Sequence, residues 1–168
     1  MNAKLKNTHI RPIRPNENAL VAGIIRQVLE EFGANREGFA FVDTELDALY
    51  EHFLPPEAAY FVAEVDGRIC GGAGFGPLLG GDGKTAELKK MYLLPEARGL
   101  GLGQKFIQTL LPMAKEAGYH CIYLETTETM KQAIELYKRS EFRRLDKAMG
   151  ATGHFGCQIF YVRSLISE

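Results

Sequence analysis

The chain has 168 residues, 46% of them apolar and 24% charged, which is ordinary for a single globular domain able to bury about two thirds of its unfolded surface. Its formal net charge is −1, so sequence-independent attraction to nucleic acid has little electrostatic support. No segment approaches membrane-spanning length, and the opening "MNAKLKNTHIRPIRPN" lacks the apolar core of a secretion signal, so a cytoplasmic protein without nucleic-acid or membrane partners is expected.

In chain order, "THIRPIR" alternates and is β-branched, which predicts a first strand ending at Pro15. A helix should follow from Asn16. Leu20, Ile24, Val28 and Phe32 recur every fourth residue, flanked by Val21, Ile25 and Leu29, and Gly33 stops it. "TELDALYEHF" predicts a shorter helix that ends before Pro55 and Pro56. "AYFVAEV" and "RICGGAGFGPL" read as strands joined at Asp66-Gly67, a strong hairpin signal. The small residues of the second strand suit close packing or a bulge. "TAELKKMYLL" predicts a long strand to Pro95, followed by a glycine-rich loop and a helix over about 101–117. Pro112 should kink that helix. "CIYLETT" is a strand, "MKQAIELYKR" a helix, "FRRLD" a strand, "MGATGHFG" a loop and "CQIFYVR" a last strand. The order is βααβββαβαββ, an α/β domain with a mixed sheet spanning 1–168, without repeats or a linker.

Charge is unevenly placed. From Glu30 to Asp66 there are ten acidic residues against Arg36 alone, and from Lys89 to Lys115 five basic residues against Glu96. Two solvated faces would account for this, as would an anionic ligand on one half and a cationic one drawn to the other. Cys70, Cys121 and Cys157 are odd in number and widely spaced, and read as reduced core residues rather than disulfides or a metal site.

The loop "RGLGLG", residues 98–103, invites an anion. A dinucleotide fingerprint starting at Gly99 would need glycine where Gln104 stands, and would belong to an early βα unit. "LLGGDGKT" ends like a nucleotide-binding P-loop, but Leu78 occupies the first glycine position and a strand follows Thr85. What remains is Arg-x-x-Gly-x-Gly. Its glycines permit positive φ and close approach, and free N–H groups at a helix start suit pyrophosphate.

The flanks extend that pattern. "ELKKMYLLPEARGLGLGQKFIQTLLPMAKEAGY" resembles the acetyl-CoA-binding core of the GNAT superfamily of N-acetyltransferases. There a strand ends in aliphatic-x-Pro and Arg-x-x-Gly-x-Gly opens a helix finishing near Gly-Tyr. Here these are Leu93, Pro95, Arg98, Gly101, Gly103 and the "AGY" of 117–119. The element order resembles the family's as well. The resemblance implies that the backbone of Met91, Tyr92 and Leu93 holds the pantetheine arm of acetyl-CoA, the co-substrate. It implies that Arg98, Gly99, Leu100, Gly101, Leu102, Gly103 and Gln104 hold the pyrophosphate. Lys105 either supports the phosphates or is merely solvated.

Acyl transfer to an amine needs a base to strip the ammonium, fixed donors for developing negative charge, and an acid for the leaving thiolate. Strand alternation places Glu87, Lys89, Met91 and Leu93 on one face. By resemblance Glu87 is a candidate general base, and a salt-bridged strand carboxylate is the alternative. "MKQAIELYKRSEF" resembles the family's second signature, which makes Tyr137 the candidate acid. A phenol near pKa 10 donating to a thiolate near 8.5 does so uphill by roughly 2 kcal/mol. Tyr137 also shares a helical face with Met130 and Ala133, so packing alone would account for it. Two residues depart from the signature: Met130 replaces its asparagine, and Glu141 its glycine, so that helix is expected to end differently.

His154 with Cys157 is too few ligands for a metal site, and no metal is expected. Thr152 and His154, in the loop between the last two strands, are candidate acceptor contacts or parts of a structural turn. The implied activity is acetyl-CoA-dependent N-acetylation of a primary amine on a small molecule or peptide, by direct transfer in a ternary complex. The alternative is a non-catalytic acyl-CoA-binding or regulatory module. A homodimer is compatible with either.

Overall fold

The alternating and β-branched stretches form the strands β1 (Thr8–Pro12), β2 (Ala59–Val65), β3 (Arg68–Pro77), β4 (Thr85–Leu93), β5 (Cys121–Thr126), β6 (Arg143–Leu145) and β7 (Ile159–Ser164). The helices are α1 (Asn18–Glu31), α2 (Leu49–His52), α3 (Leu102–Glu116) and α4 (Lys131–Arg139), in the expected order. This computed structural model describes residues 5–167; Met1 to Lys4, part of the polar opening stretch, and Glu168 lie outside it. No helix among the described residues is long and apolar enough to cross a membrane.

The strands form one sheet in the order β1-β2-β3-β4-β5-β7-β6, antiparallel except between β4 and β5. β2 and β3 are joined by Asp66 and Gly67, both at positive φ, which matches the right-handed twist of a hairpin. One face of the sheet packs on α3 and α4 through Leu102, Phe106, Leu110, Leu136 and Tyr137; the other packs on α1 and the segment 39–53. Phe106 is fully buried, so truncating it to alanine would cost about 3–5 kcal/mol.

Some local expectations shift. In α1 the buried stripe is Val21, Ile24, Ile25, Val28 and Leu29, whereas Leu20 is 54% exposed. The helix expected over 44–53 is a 3₁₀ segment, Thr44–Ala48, followed by the single turn of α2. Leu46 and Leu49 are both fully buried, and a spacing of three suits the tighter winding. α3 continues as one helix across Pro112. Cys70 is buried, while Cys121 and Cys157 are half-buried, and all three are free.

α1, α3 and α4 end alike. After α1, Gly33 lies at φ 69° and Ala34 N–H donates to the Leu29 carbonyl. After α3, Gly118 lies at φ 96° and Tyr119 donates to Ala114. After α4, Glu141 takes the left-handed position at φ 63°, with Phe142 donating to Tyr137. The end of α4 therefore keeps the glycine-type geometry in spite of the substitution, because the same six-residue hydrogen bond closes it.

Candidate active site

β4 and β5 pair only from Thr85 to Glu87 and from Cys121 to Tyr123. Beyond those residues the strands part. A cleft of about 710 Å³ opens there, between the end of β4, the start of α3, the first turns of α4 and the end of α1. Met91, Tyr92, Leu93, Arg98, Gly99, Gly101, Leu102, Gly103 and Gln104 all line it. Leu100 does not; it packs against the core on the α3 side.

Gly99 and Gly101 lie at φ 74° and 79°, which turns the backbone so that α3 starts at Leu102 facing the cleft. Arg98 N–H donates to Pro95 and Lys105 N–H to Gly101, but among the described residues the N–H groups of 99–104 have no backbone acceptor. Such a row of free donors at a helix start fits a pyrophosphate. Gly103 sits where a Cβ would come within 2.7 Å of Leu136, so glycine lets α4 approach the cradle.

Two basic side chains have partners of their own. Arg98 grips Glu31 of α1 through both guanidinium nitrogens at 2.7 and 2.8 Å, donates to the Leu93 carbonyl at 3.0 Å and stacks over Phe32. It fastens α1 to the rim of the cleft. Lys105, considered above as phosphate support, instead donates to the Thr8 carbonyl and hydroxyl at 3.2 Å. It ties α3 to β1.

β4 contains a bulge that the sequence did not announce. Gly72 pairs with Tyr92, but Gly74 pairs with Lys89, so two residues of β3 span three of β4. Lys90 takes φ 53° in the extra position, and its carbonyl accepts from the Tyr60 hydroxyl at 2.9 Å. The bulge reverses the side-chain alternation. Ala86 and Leu88 before it, and Met91 and Leu93 after it, face the α3 side. Lys89 and Tyr92 face the α1 side with Glu87. The expected single face of Glu87, Lys89, Met91 and Leu93 is thus divided, and Glu87 shares its side with Tyr92.

On that side lies a second, smaller pocket of about 50 Å³, with Glu87, Lys89, Lys90, Tyr92, Glu125, Thr126, His154 and Cys157 among its walls. Burial pushes the Glu87 carboxyl up to about 7, against the opposing pull of Lys89, His154 and Lys90. Lys90 is buried against Asp43 and Glu45, its ammonium 2.8 Å from Glu45. His154 Nε2 lies 2.8 Å from the Asp43 carboxylate. Burial would raise Asp43, but His154 and Lys90 together hold its carboxyl below the usual range. Burial lifts the Cys157 thiol to about 12, so it stays protonated and poorly nucleophilic.

Thr152 does not point to open solvent. Its hydroxyl donates to Glu125 at 3.0 Å, and Tyr123 donates to the same carboxylate at 2.8 Å. Tyr137 stays apart from the pocket walls, its ring edge-on to Phe142 at 5.8 Å and tilted to Tyr161 at 6.1 Å. Burial raises its phenol above the ordinary value. Burial also raises Tyr92, assisted by the nearby Cys157, Tyr137, Asp43 and Glu87. Tyr92 lines both pockets and so stands where they meet.

Asp43, Lys90 and Glu125 were not singled out by sequence reasoning. The one available signal was a charged residue inside an otherwise apolar strand, "CIYLETT" for Glu125; Lys90 stands beside two other charges in "ELKKMYLL".

Residues 25–142 match the profile of the acetyltransferase (GNAT) family. The chain belongs to that family, and it is an acyltransferase. It is 40% identical over 157 residues to an uncharacterized N-acetyltransferase of Escherichia coli, YjgM, covering 93% of this chain and 94% of that one. An uncharacterized N-acetyltransferase of Schizosaccharomyces pombe is 32% identical over 121 residues, 71% of this chain and 72% of the other. Among solved structures, a GNAT-family acetyltransferase of Staphylococcus aureus superposes with a TM-score of 0.83 at 21% identity, over 95% of this chain and all of that one. A Salmonella typhimurium acetyltransferase homologue, YncA, described with acetyl-CoA as its cofactor, superposes with a TM-score of 0.75 at 21% identity, over 96% and 95% of the two chains. Both likenesses are likenesses of fold.

Proposed function

We propose that the chain transfers an acetyl group from acetyl-CoA to a primary amine on a small molecule or peptide, directly, with both substrates bound. One observation carries this reading: a buried carboxyl raised to about 7 stands where β4 and β5 part, next to a cleft edged by unpaired N–H groups. The free N–H groups of 99–104 would receive the pyrophosphate, and the backbone of 91–93 the pantetheine arm. Acetyl-CoA supplies an activated thioester there, and the chain's own groups do the rest.

An ammonium acceptor has two protons to lose. Glu87, ionised above about 7, takes one and passes it to solvent. The nitrogen then bonds to the acetyl carbon as the carbon–sulfur bond breaks, and the second proton ends on the sulfur. Tyr137, on neither pocket's wall but close enough to Tyr92 to bear on its phenol, is the candidate donor on that side. Its raised phenol makes full proton release harder, so its contribution is a hydrogen bond that steadies negative charge on sulfur. Thr152 acts through Glu125, and His154 through Asp43, as positioning residues of the acceptor pocket.

Thiol release measured against pH tests the assignment. kcat/KM should rise with unit slope to about pH 7, the limb of Glu87 deprotonation. Glu87→Gln should lower kcat by about a hundredfold or more and flatten that limb. Tyr137→Phe should lower kcat with little change in the KM for acetyl-CoA. Full turnover in Glu87→Gln would remove the base, and full turnover in Tyr137→Phe would remove the donor. Heat of CoA binding without thiol release on any amine would favour a non-catalytic acyl-CoA-binding module.

A further inference from the structure

Two residues, Tyr92 and Met130, line both the larger cleft edged by free N–H groups and the smaller pocket that holds Glu87. They come from opposite sides of the gap between β4 and β5. Tyr92 stands near the end of β4, and Met130 follows β5 and caps the start of α4. Both pack against the cluster on the α1 side, which contains Leu29 and Phe39. That is also the side Glu87 faces, so the two residues form a partition between the openings. The partition presents an aromatic ring and a thioether, without a charge. Met130 is the position where this chain departs from the asparagine of the family's second signature. An amide there would offer a donor and an acceptor, whereas methionine offers a flexible apolar surface.

We infer that Tyr92 and Met130 enclose the acyl group and set its length, admitting acetyl and excluding medium chains such as hexanoyl. The inference rests on the proposed reading, in which the thioester arrives along the cleft and the amine waits beside Glu87. The acyl carbon then meets the nitrogen at the partition, between the ring and the thioether. Beyond it, a pocket of about 50 Å³ has room for only a few water-sized groups and has to admit the amine as well. A longer acyl tail would compete with the amine for that space.

Thiol release is first followed with acetyl-CoA on butylamine, putrescine, free lysine and a short lysine-containing peptide, and the amine turned over fastest is kept. Acetyl-, butyryl- and hexanoyl-CoA are then compared on it. kcat/KM should fall about tenfold or more from acetyl to butyryl, and further to hexanoyl. Met130→Ala and Tyr92→Ala should each raise the hexanoyl-to-acetyl ratio about tenfold or more by opening the partition. Met130→Leu and Tyr92→Phe keep the bulk and should keep the original ratio. Each ratio is taken on one preparation, so it does not depend on the fraction of enzyme that is folded. Equal use of acetyl- and hexanoyl-CoA by the unmodified chain overturns the inference while the proposed transfer to an amine stands. An unchanged ratio in either alanine variant, or an equal rise in Met130→Leu or Tyr92→Phe, also overturns it. CoA binding with no thiol release on any of the amines overturns the proposed activity, and this inference with it.

Discussion

Glu87 carries its charge against the cost of burial, and that cost should be visible in stability as well as turnover. Its carboxyl lies at about 7 in the folded chain against an ordinary 4.5, so the native state binds the extra proton across that interval. The raised value means this stabilisation is complete below about pH 4.5 and fades as pH climbs through 7, by about 3 kcal/mol. Glu87→Gln removes the ionisation. Its melting temperature at pH 8 should exceed that of the unmodified chain, and the gap should close towards pH 5; an equal gap at both values would refute the assignment. At this scale the sequence was informative where a single residue type is required. Gly99 and Gly101 do take the positive φ that their spacing suggested. It was silent on Asp43, Lys90 and Glu125, because the smaller pocket and the ion pairs beside it are assembled from segments around 43, 90, 125 and 154 that no local pattern connects.

Periodicity located every element and misjudged how some of them finish. The end of α4 is the clearest instance, because Glu141 holds a left-handed conformation that costs a side-chain-bearing residue about 1–2 kcal/mol. Its exposed pairing with Arg163 at 3.1 Å offsets little of that. Glu141→Gly should therefore stabilise the fold by about 1 kcal/mol, raising the melting temperature by about 2–4 °C. No rise in a calorimetric scan would show that the ion pair outweighs the strain. The phase of β4 was hidden for a different reason. "ELKKMYLL" alternates well enough to suggest one unbroken strand, whereas the interruption is set by long-range partners: Tyr60 beneath the Lys90 carbonyl, and Asp43 and Glu45 around its ammonium.

Taken whole, the molecule is a sheet forced apart along one seam, with helices holding both lips of the opening. A ligand that fills the opening and binds only the folded chain shifts the unfolding equilibrium by mass action. Coenzyme A at a hundred times its dissociation constant should add about 2.7 kcal/mol, or roughly 5–10 °C in melting temperature for a chain this long. Absence of any shift at millimolar coenzyme A would sink the cofactor assignment. The single parallel junction reflects β4–α3–β5, where one helix carries the chain back to a neighbouring strand, whereas β1 and β2, joined through α1 and α2, are neighbours but antiparallel. The element order did not make the depth of the opening visible, since it depends on where two strands stop sharing hydrogen bonds.

The extra residue in β4 bears on how such chains can vary. The bulge is what brings Glu87 and Tyr92, five residues apart, to one side; paired with β3 as a regular ladder at its present length, β4 would set them on opposite faces. The reactive carboxyl would then look away from the tyrosine at the junction of the two pockets. Changes that straighten the strand without shortening it should consequently be tolerated far less than changes of residue type, and the irregularity itself becomes an inherited part of the site.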